Sequence, residues 1–268
     1  MYKKVWTKCH EAICSINFFS EKGIRFDSVT GFKYGRYIIT GSQVYKMNKA
    51  REVQITFFQS DGLSTKAQVK ITWKDFSSRL VKGLNENVSD FTFIDMNFPQ
   101  FDNIPSLQLR NGGTIAIGTE VAVIGHQYEH NNLCLKKGMV SSNVKKNGNN
   151  YIQVDTSLEK GYAGAPVIIP DTGEVAGLLG HRLNAISESR KQMMDIINNN
   201  LELLKETENK IHFNNIDPIQ VLIANQNQIK RLAQELYKTA SINYGLAIEI
   251  SQVAEYIDIE QIENVEYR

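Results

Sequence analysis

Between residues 12 and 180 the apolar positions come in short runs rich in β-branched and aromatic residues, each closed by Gly, Asn, Asp or Ser. Runs of this length and composition predict strands. They fall at Ala12–Phe19, Thr30–Tyr34, Tyr37–Thr40, Glu52–Phe58, Gln68–Trp73 and Phe91–Met96, then at Glu120–Gly125, Leu133–Val144, Tyr151–Val154, Ala165–Ile169 and Val175–Leu179. Asn147-Gly148 and Thr172-Gly173 supply tight turns between them. Many short strands with no interleaved helix predict a mostly β fold, a barrel or a sandwich.

The period then changes. From Asn184 to Glu208, Met194, Ile197, Leu201 and Leu204 are spaced three and four apart, which is one stripe of a helix. A second helix starts at Asp217-Pro218, with Asp suited to the N-cap and Pro to the first turn. Its expected stripe is Leu222, Ile229, Leu232 and Leu236, interrupted by Gln226. Joined by a loop near 209–216, the pair predicts an antiparallel hairpin inserted over 184–241. A strand at Tyr244–Ile250 and a short helix at Ser251–Tyr256 follow, and the acidic end Ile257–Arg268 reads as a fraying tail.

Composition changes this picture little. A net charge of +1 gives no general reason to expect nucleic acid or an acidic membrane as partner. The pairs Lys136-Lys137 and Lys145-Lys146 sit beside expected turns and read as solvated loops. No run approaches the roughly 20 apolar residues of a membrane span, and the start lacks the apolar core of roughly 7–15 residues that a signal peptide needs. Three cysteines, Cys9, Cys14 and Cys134, suggest reduced thiols, and hence a cytoplasmic chain. Cys9-His10 has no second Cys/His pair at ligand spacing, so neither a metal nor another cofactor is expected.

The candidate chemistry lies in Gly161-Tyr162-Ala163-Gly164-Ala165-Pro166. This stretch resembles the nucleophile loop of trypsin-like serine proteases, Gly-x-Ser-Gly-Gly-Pro, with alanine in place of serine. Other fragments, in the same order, are similar to the bacterial high-temperature-requirement (Htr) branch. Gly31-Phe32 and Tyr37-Ile38-Ile39-Thr40 resemble the entry to its catalytic histidine, and Ser89-Asp90-Phe91-Thr92-Phe93-Ile94 the segment with its aspartate. Val121-Ala122-Val123-Ile124-Gly125-His126 resembles a Val-Leu-Ala-Ile-Gly-Asn run, and Lys137-Gly138-Met139-Val140-Ser141 a Thr-Gly-Ile-Val-Ser run. Ile152-Gln153-Val154-Asp155-Thr156 stands where that branch has Ile-Gln-Thr-Asp-Ala. Gly173-Glu174-Val175-Ala176-Gly177 and Gly245-Leu246-Ala247-Ile248 match its last two strands.

The resemblance implies a trypsin-like double six-stranded β-barrel over 1–183 and 242–260, with the functional cleft between the barrels, the hairpin inserted at 184–241 and a tail at 261–268. The hairpin has no counterpart in the family pattern. It takes the place of the loop that walls the primary specificity pocket, so it is expected beside the cleft.

Carried over residue by residue, the triad is degenerate. Gln43 takes the histidine position in Thr40-Gly41-Ser42-Gln43, Ala163 takes the serine position, and Asp90 alone matches. An amide does not titrate near neutral pH and cannot serve as general base. A methyl offers no nucleophile. None of the histidines (His10, His126, His130, His181, His212) follows the third strand, where the base belongs. What the resemblance leaves is binding apparatus. Gly161 and Ala163 carry the backbone N–H groups of an oxyanion hole. Gly180, His181 and Arg182 form an edge for an extended peptide, and Tyr162 is large enough to fill the pocket.

On the hairpin, Met193, Ile196, Leu203, Val221 and Ile223 are apolar off the expected stripes and are candidate docking residues for a protein partner or a second copy. Three functions follow as expectations. The first is a bacterial pseudoprotease that binds a peptide or protein. The second is a noncatalytic subunit of a larger assembly. The third is an active cytosolic serine endopeptidase whose sequence here is an inactivated variant.

Overall fold

The computed structural model describes residues 1–81, 90–182, 187–208, 210, 217–239 and 244–256, without the side chains of 181–190 and 237–239. The expected hairpin loop, the acidic tail, Ser89 and the side chains of His181 and Arg182 therefore lie outside the described residues. The chain divides into two compact units, Met1–Arg182 with Asn243–Arg268, and Leu183–Ile242.

The first unit opens with a helix that the apolar pattern did not announce, α1 (Tyr2–Cys9). It is fastened at several points: Trp6 Nε1 donates to Ser60 O at 2.8 Å, and the Trp6 ring stacks on His10 at 5.2 Å. Its other end is tied by Lys8 Nζ, which donates to Thr172 O at 2.5 Å.

Seven strands then build a sheet: β1 (Ile13–Phe19), β2 (Arg25–Tyr34), β3 (Tyr37–Gly41), β4 (Glu52–Phe58), β5 (Thr65–Thr72) and, after the short helix α2 (Trp73–Ser78), the two-residue β6 (Leu80–Val81) and β7 (Phe91–Asp95). The order is β5-β4-β1-β2-β3-β7-β6. Two closed barrels were expected. Here the sheet has seven strands, and its end strands β5 and β6 share no ladder among the described residues. Trp73, expected to end a strand, begins α2 instead, because Thr72 caps that helix by accepting from Asp75 N.

Strand β1 shows how the sheet serves two environments. Cys14, Ile16 and Phe18 point into the sheet's own core with Val29, Ile38, Ile55 and Phe57. Successive side chains alternate faces, so Ser15 and Asn17 point the other way, in register with Thr30 and Ser28 of β2. All four are buried. Against β1 and β2 lies β8 (Glu120–Gln127) of the second half.

That half is a closed six-stranded barrel of β8, β9 (Asn132–Lys146), β10 (Asn149–Asp155), β11 (Pro166–Ile168), β12 (Val175–Arg182) and β13 (Tyr244–Glu249). Val121, Val123, Ile152, Val154, Val167 and Ala247 fill its core. The last helical turn spans 250–256, and its Tyr256 ring stacks on Phe93 of β7 at 5.6 Å.

The second unit is a pair of helices, α3 (Ser187–Thr207) and α4 (Pro218–Thr239). Asp217 Oδ1 accepts from Ile219 N, as an N-cap should. On α3, Ile197 and Leu201 of the expected stripe do turn inward. On α4 the expectation fails: Leu222, Ile229, Leu232 and Leu236 are 47%, 43%, 64% and 66% exposed. The residue buried in their place is Ala233, with Ile223 packed beside it. A small side chain at the contact lets the helices approach closely, and Lys230 reaches across to Asn198 Oδ1 at 2.8 Å. Ile223, read as a docking residue, is thus part of the hairpin interior. Met193, Ile196, Leu203 and Val221 are exposed.

Candidate functional site

The site grows from the polar face between the two halves, and Thr30 is its anchor. Thr30 N donates to Ala163 O at 2.8 Å. Its hydroxyl donates to Gly161 O at 2.7 Å and accepts from His126 N at 2.8 Å. Its carbonyl accepts from Thr40 Oγ1 at 2.6 Å. One buried threonine therefore ties the 161–166 loop to β2, β3 and β8.

The loop needs glycine at two points. Gly161 has φ +104° and Gly164 φ +83°, conformations that side chains resist. There is no room either: a Cβ on Gly161 would meet His126 O at 2.3 Å, and one on Gly164 would meet Thr30 O at 2.1 Å. Past the turn, Gly164 N donates to Leu179 O at 2.7 Å and Ala165 N to Tyr162 O at 2.9 Å. The N–H groups of Gly161 and Ala163 are not bonded to any acceptor among the described residues.

Tyr162 was expected to fill a pocket from the cleft. It is instead 1% exposed, within the second barrel's core. Its ring lies against Gly125, where a Cβ would come within 2.5 Å of it. Burial raises its phenol pKa well above the ordinary value.

Gln43, Asp90 and the peptide that follows Ala163 come together around Gly41, the last residue of β3. A methyl there would lie 3.6 Å from Gly164 N, 3.8 Å from Asp90 O and 3.8 Å from Gln43 Nε2. Gln43 sits in the turn Ser42–Lys46 that follows the strand, and Ser42 N donates to Asp90 O at 3.1 Å. The carboxylate of Asp90 accepts from Tyr151 Oη at 2.8 Å, across from β10. Gly180 of β12 faces the same carboxylate, with room for a Cβ 3.7 Å from Oδ2. Burial, and then the bond to Asp90, push the Tyr151 phenol up to about 12, so it stays protonated and donating at neutral pH. A phenol from β10 thus holds the Asp90 carboxylate.

One histidine does lie nearby, in a different role. His126 Nδ1 shares a 2.9 Å hydrogen bond with Ser28 Oγ, and its Nε2 lies 3.2 Å from Asn131 Oδ1. The chain of Ser, His and Asn has the composition of a triad, yet Ser28 is 3% and His126 0% exposed. No substrate reaches it. Burial depresses the imidazole pKa to about 4, partly opposed by the bond to Asn131. The sequence held a signal for this residue, since His126 stands where the resembled run ends in asparagine. Among the described residues no group of His, Cys, Asp and Glu could hold a metal ion. No described helix is long and apolar enough to cross a membrane.

The model of the trypsin-like peptidase domain matches residues 23–178. The chain belongs to the trypsin-like peptidase domain family. This trypsin-like domain is similar in fold to solved HtrA-type proteases. The HtrA-type protease AlgW with tripeptide is 15% identical, at a TM-score of 0.52, over 67% of this chain and 54% of its own. A variant of AlgW with tripeptide is 14% identical at the same coverage and a TM-score of 0.52. Deg5 is 16% identical, at a TM-score of 0.51, over 67% of this chain and 84% of its own. The domain thus spans about half the length of AlgW, 54%. Identities this low speak to the fold alone. No curated protein matches the sequence.

Proposed function

We propose that this trypsin-like domain is a pseudoprotease that holds a peptide or protein segment in the cleft where its relatives cut one. The observation that carries the reading is the pair Gln43 and Ala163, an amide and a methyl where a base and a nucleophile are required. Losing either function in a Ser-His-Asp triad lowers turnover by on the order of 10⁶. The oxyanion loop by itself accounts for only about 10³–10⁴ over water.

The binding parts do not need the triad. The Gly161 and Ala163 N–H groups, and the main chain of 180–182, recognise a backbone by hydrogen bonds. The neutral amide of Gln43 adds a polar contact that does not depend on pH.

The test is a fluorophosphonate probe together with a fluorescent casein digest. The protein as it stands is expected to give neither labelling nor cleavage. Ala163→Ser alone should stay inert for want of a base. Gln43→His with Ala163→Ser should gain labelling if the cleft is preserved. Cleavage by the unaltered protein would end the proposal, as would a natural coding sequence with histidine and serine at these two codons.

A further inference from the structure

The hairpin holds itself together with little. Between its helices Ile197, Leu201 and Ala233 are buried, with Ile223 partly so. Outside stand Ile196 and Leu203 of α3, 61% and 63% exposed, and four large residues of α4 already named. These are not scattered. A groove of about 300 Å³ lined by Asn200, Leu203, Leu204, Leu222 and Gln226 puts Leu203 and Leu222 on one broad face. Residues three and four apart on a helix share a side. Met193 and Ile196 therefore continue the face along α3, and Ile229 and Leu236 along α4. The opposite face is polar, marked by the Lys230–Asn198 hydrogen bond.

We propose that this face is a homodimer surface, which packs about a two-fold axis on the same face of a second copy to make a four-helix bundle. Three features select that occupant. First, Leu222, Asn225, Ile229, Leu232 and Leu236 step by three and four in turn. That is the spacing by which helices pack on helices, and a single Asn in such a seam fixes register. Second, none of the face residues Met193, Ile196, Asn200, Leu203, Leu222, Asn225, Ile229, Leu232 and Leu236 is charged. A two-fold axis sets a patch against itself, and a neutral patch meets no like charge there. Third, the flat footprint alone supplies about half of what a stable dimer takes from each partner, and side-chain relief adds to it. The α4 stripe is about 21 Å long at about 1.5 Å per residue, and two helices side by side are about 20 Å wide. The flat footprint is then about 400 Å², before side-chain relief is counted. Stable interfaces take about 800 Å² from each partner, and homodimer cores are the more apolar ones.

Sedimentation velocity and light scattering on the whole chain test this at micromolar concentration. A dimer is expected. Leu232→Glu and Ile196→Glu, both at exposed positions, should halve the mass and leave the circular dichroism unchanged. Lys191→Glu, one heptad before Asn198 and hence on the polar side, should leave the dimer intact. Ile229→Cys should give a disulfide-linked pair on oxidation. A monomer at every concentration would overturn the proposal, and so would a dimer indifferent to both face substitutions. The inference does not rest on the inactive site: an active protease with the same face would dimerise equally, so the two proposals fail separately.

Discussion

The Asp90 carboxylate accepts from the phenol of Tyr151 on β10, at 2.8 Å. Losing that donor leaves a half-buried acceptor less satisfied, which typically costs about 1–3 kcal/mol. Tyr151→Phe should lower the urea midpoint accordingly, while Thr7→Ala, at an exposed position of α1, serves as a comparison. His126 gives a second prediction at this scale. Its folded pKa of about 4 lies below the free value of 6.5. Between those values the unfolded chain binds a proton that the folded chain does not. Stability therefore falls as pH drops from about 6.5 toward 4, by up to about 1.4 kcal/mol per unit. Denaturation across that range should show the slope, and His126→Gln should flatten it. An unchanged slope would assign the acid loss to other groups.

The identities of Gln43 and Ala163 were plain from the sequence, because what a side chain can do chemically is fixed by its type. Where a side chain points is not. Tyr162 sits next to Ala163, yet its ring turns into the barrel core, a direction set by the space over Gly125.

Among elements, the strands were legible wherever runs of β-branched and aromatic residues met turn residues. Glu52–Phe58 falls where expected, and β1 and β3 differ from expectation by one residue. Helix α1 was not legible. Its sequence YKKVWTKC buries only Val5 and Cys9, too few positions to show a period. Tertiary ties hold it, so Trp6→Ala should lower stability by at most about 3 kcal/mol, the low end of the range for a large aromatic. Half-exposed Trp6 belongs at or below the low end, and thermal melts with and without the change measure it. Helix α4 was misread for the opposite reason: it has two apolar sides, and sequence does not say which one faces α3.

At the scale of the molecule, the hairpin leaves and re-enters between neighbouring strands of one barrel. Arg182 of β12 pairs with Gly245 of β13, and paired Cα atoms are about 4.5–5.5 Å apart. A short turn can span that gap. Replacing 183–242 with Asn-Gly is expected to leave the sheet and the barrel folded, because each has its own core. Loss of cooperative unfolding in the shortened chain would show that the insertion is needed for folding. The order of fragments along the chain made the trypsin-like fold recognisable, whereas nothing in the resembled family described the insertion, so its surface had to be read from exposure.

The fit of Gly164 against Thr30 has a consequence for how such proteins are found. A side chain there would have to occupy the place of a strand carbonyl, 2.1 Å away, whether or not anything is hydrolysed. The glycine is demanded by the architecture of the joint, and the serine one residue earlier only by the reaction. A search tuned to the loop's glycines and proline therefore detects a joint. The glycines and proline by themselves say nothing of whether the residue between them, Ala163 here, takes part in a reaction.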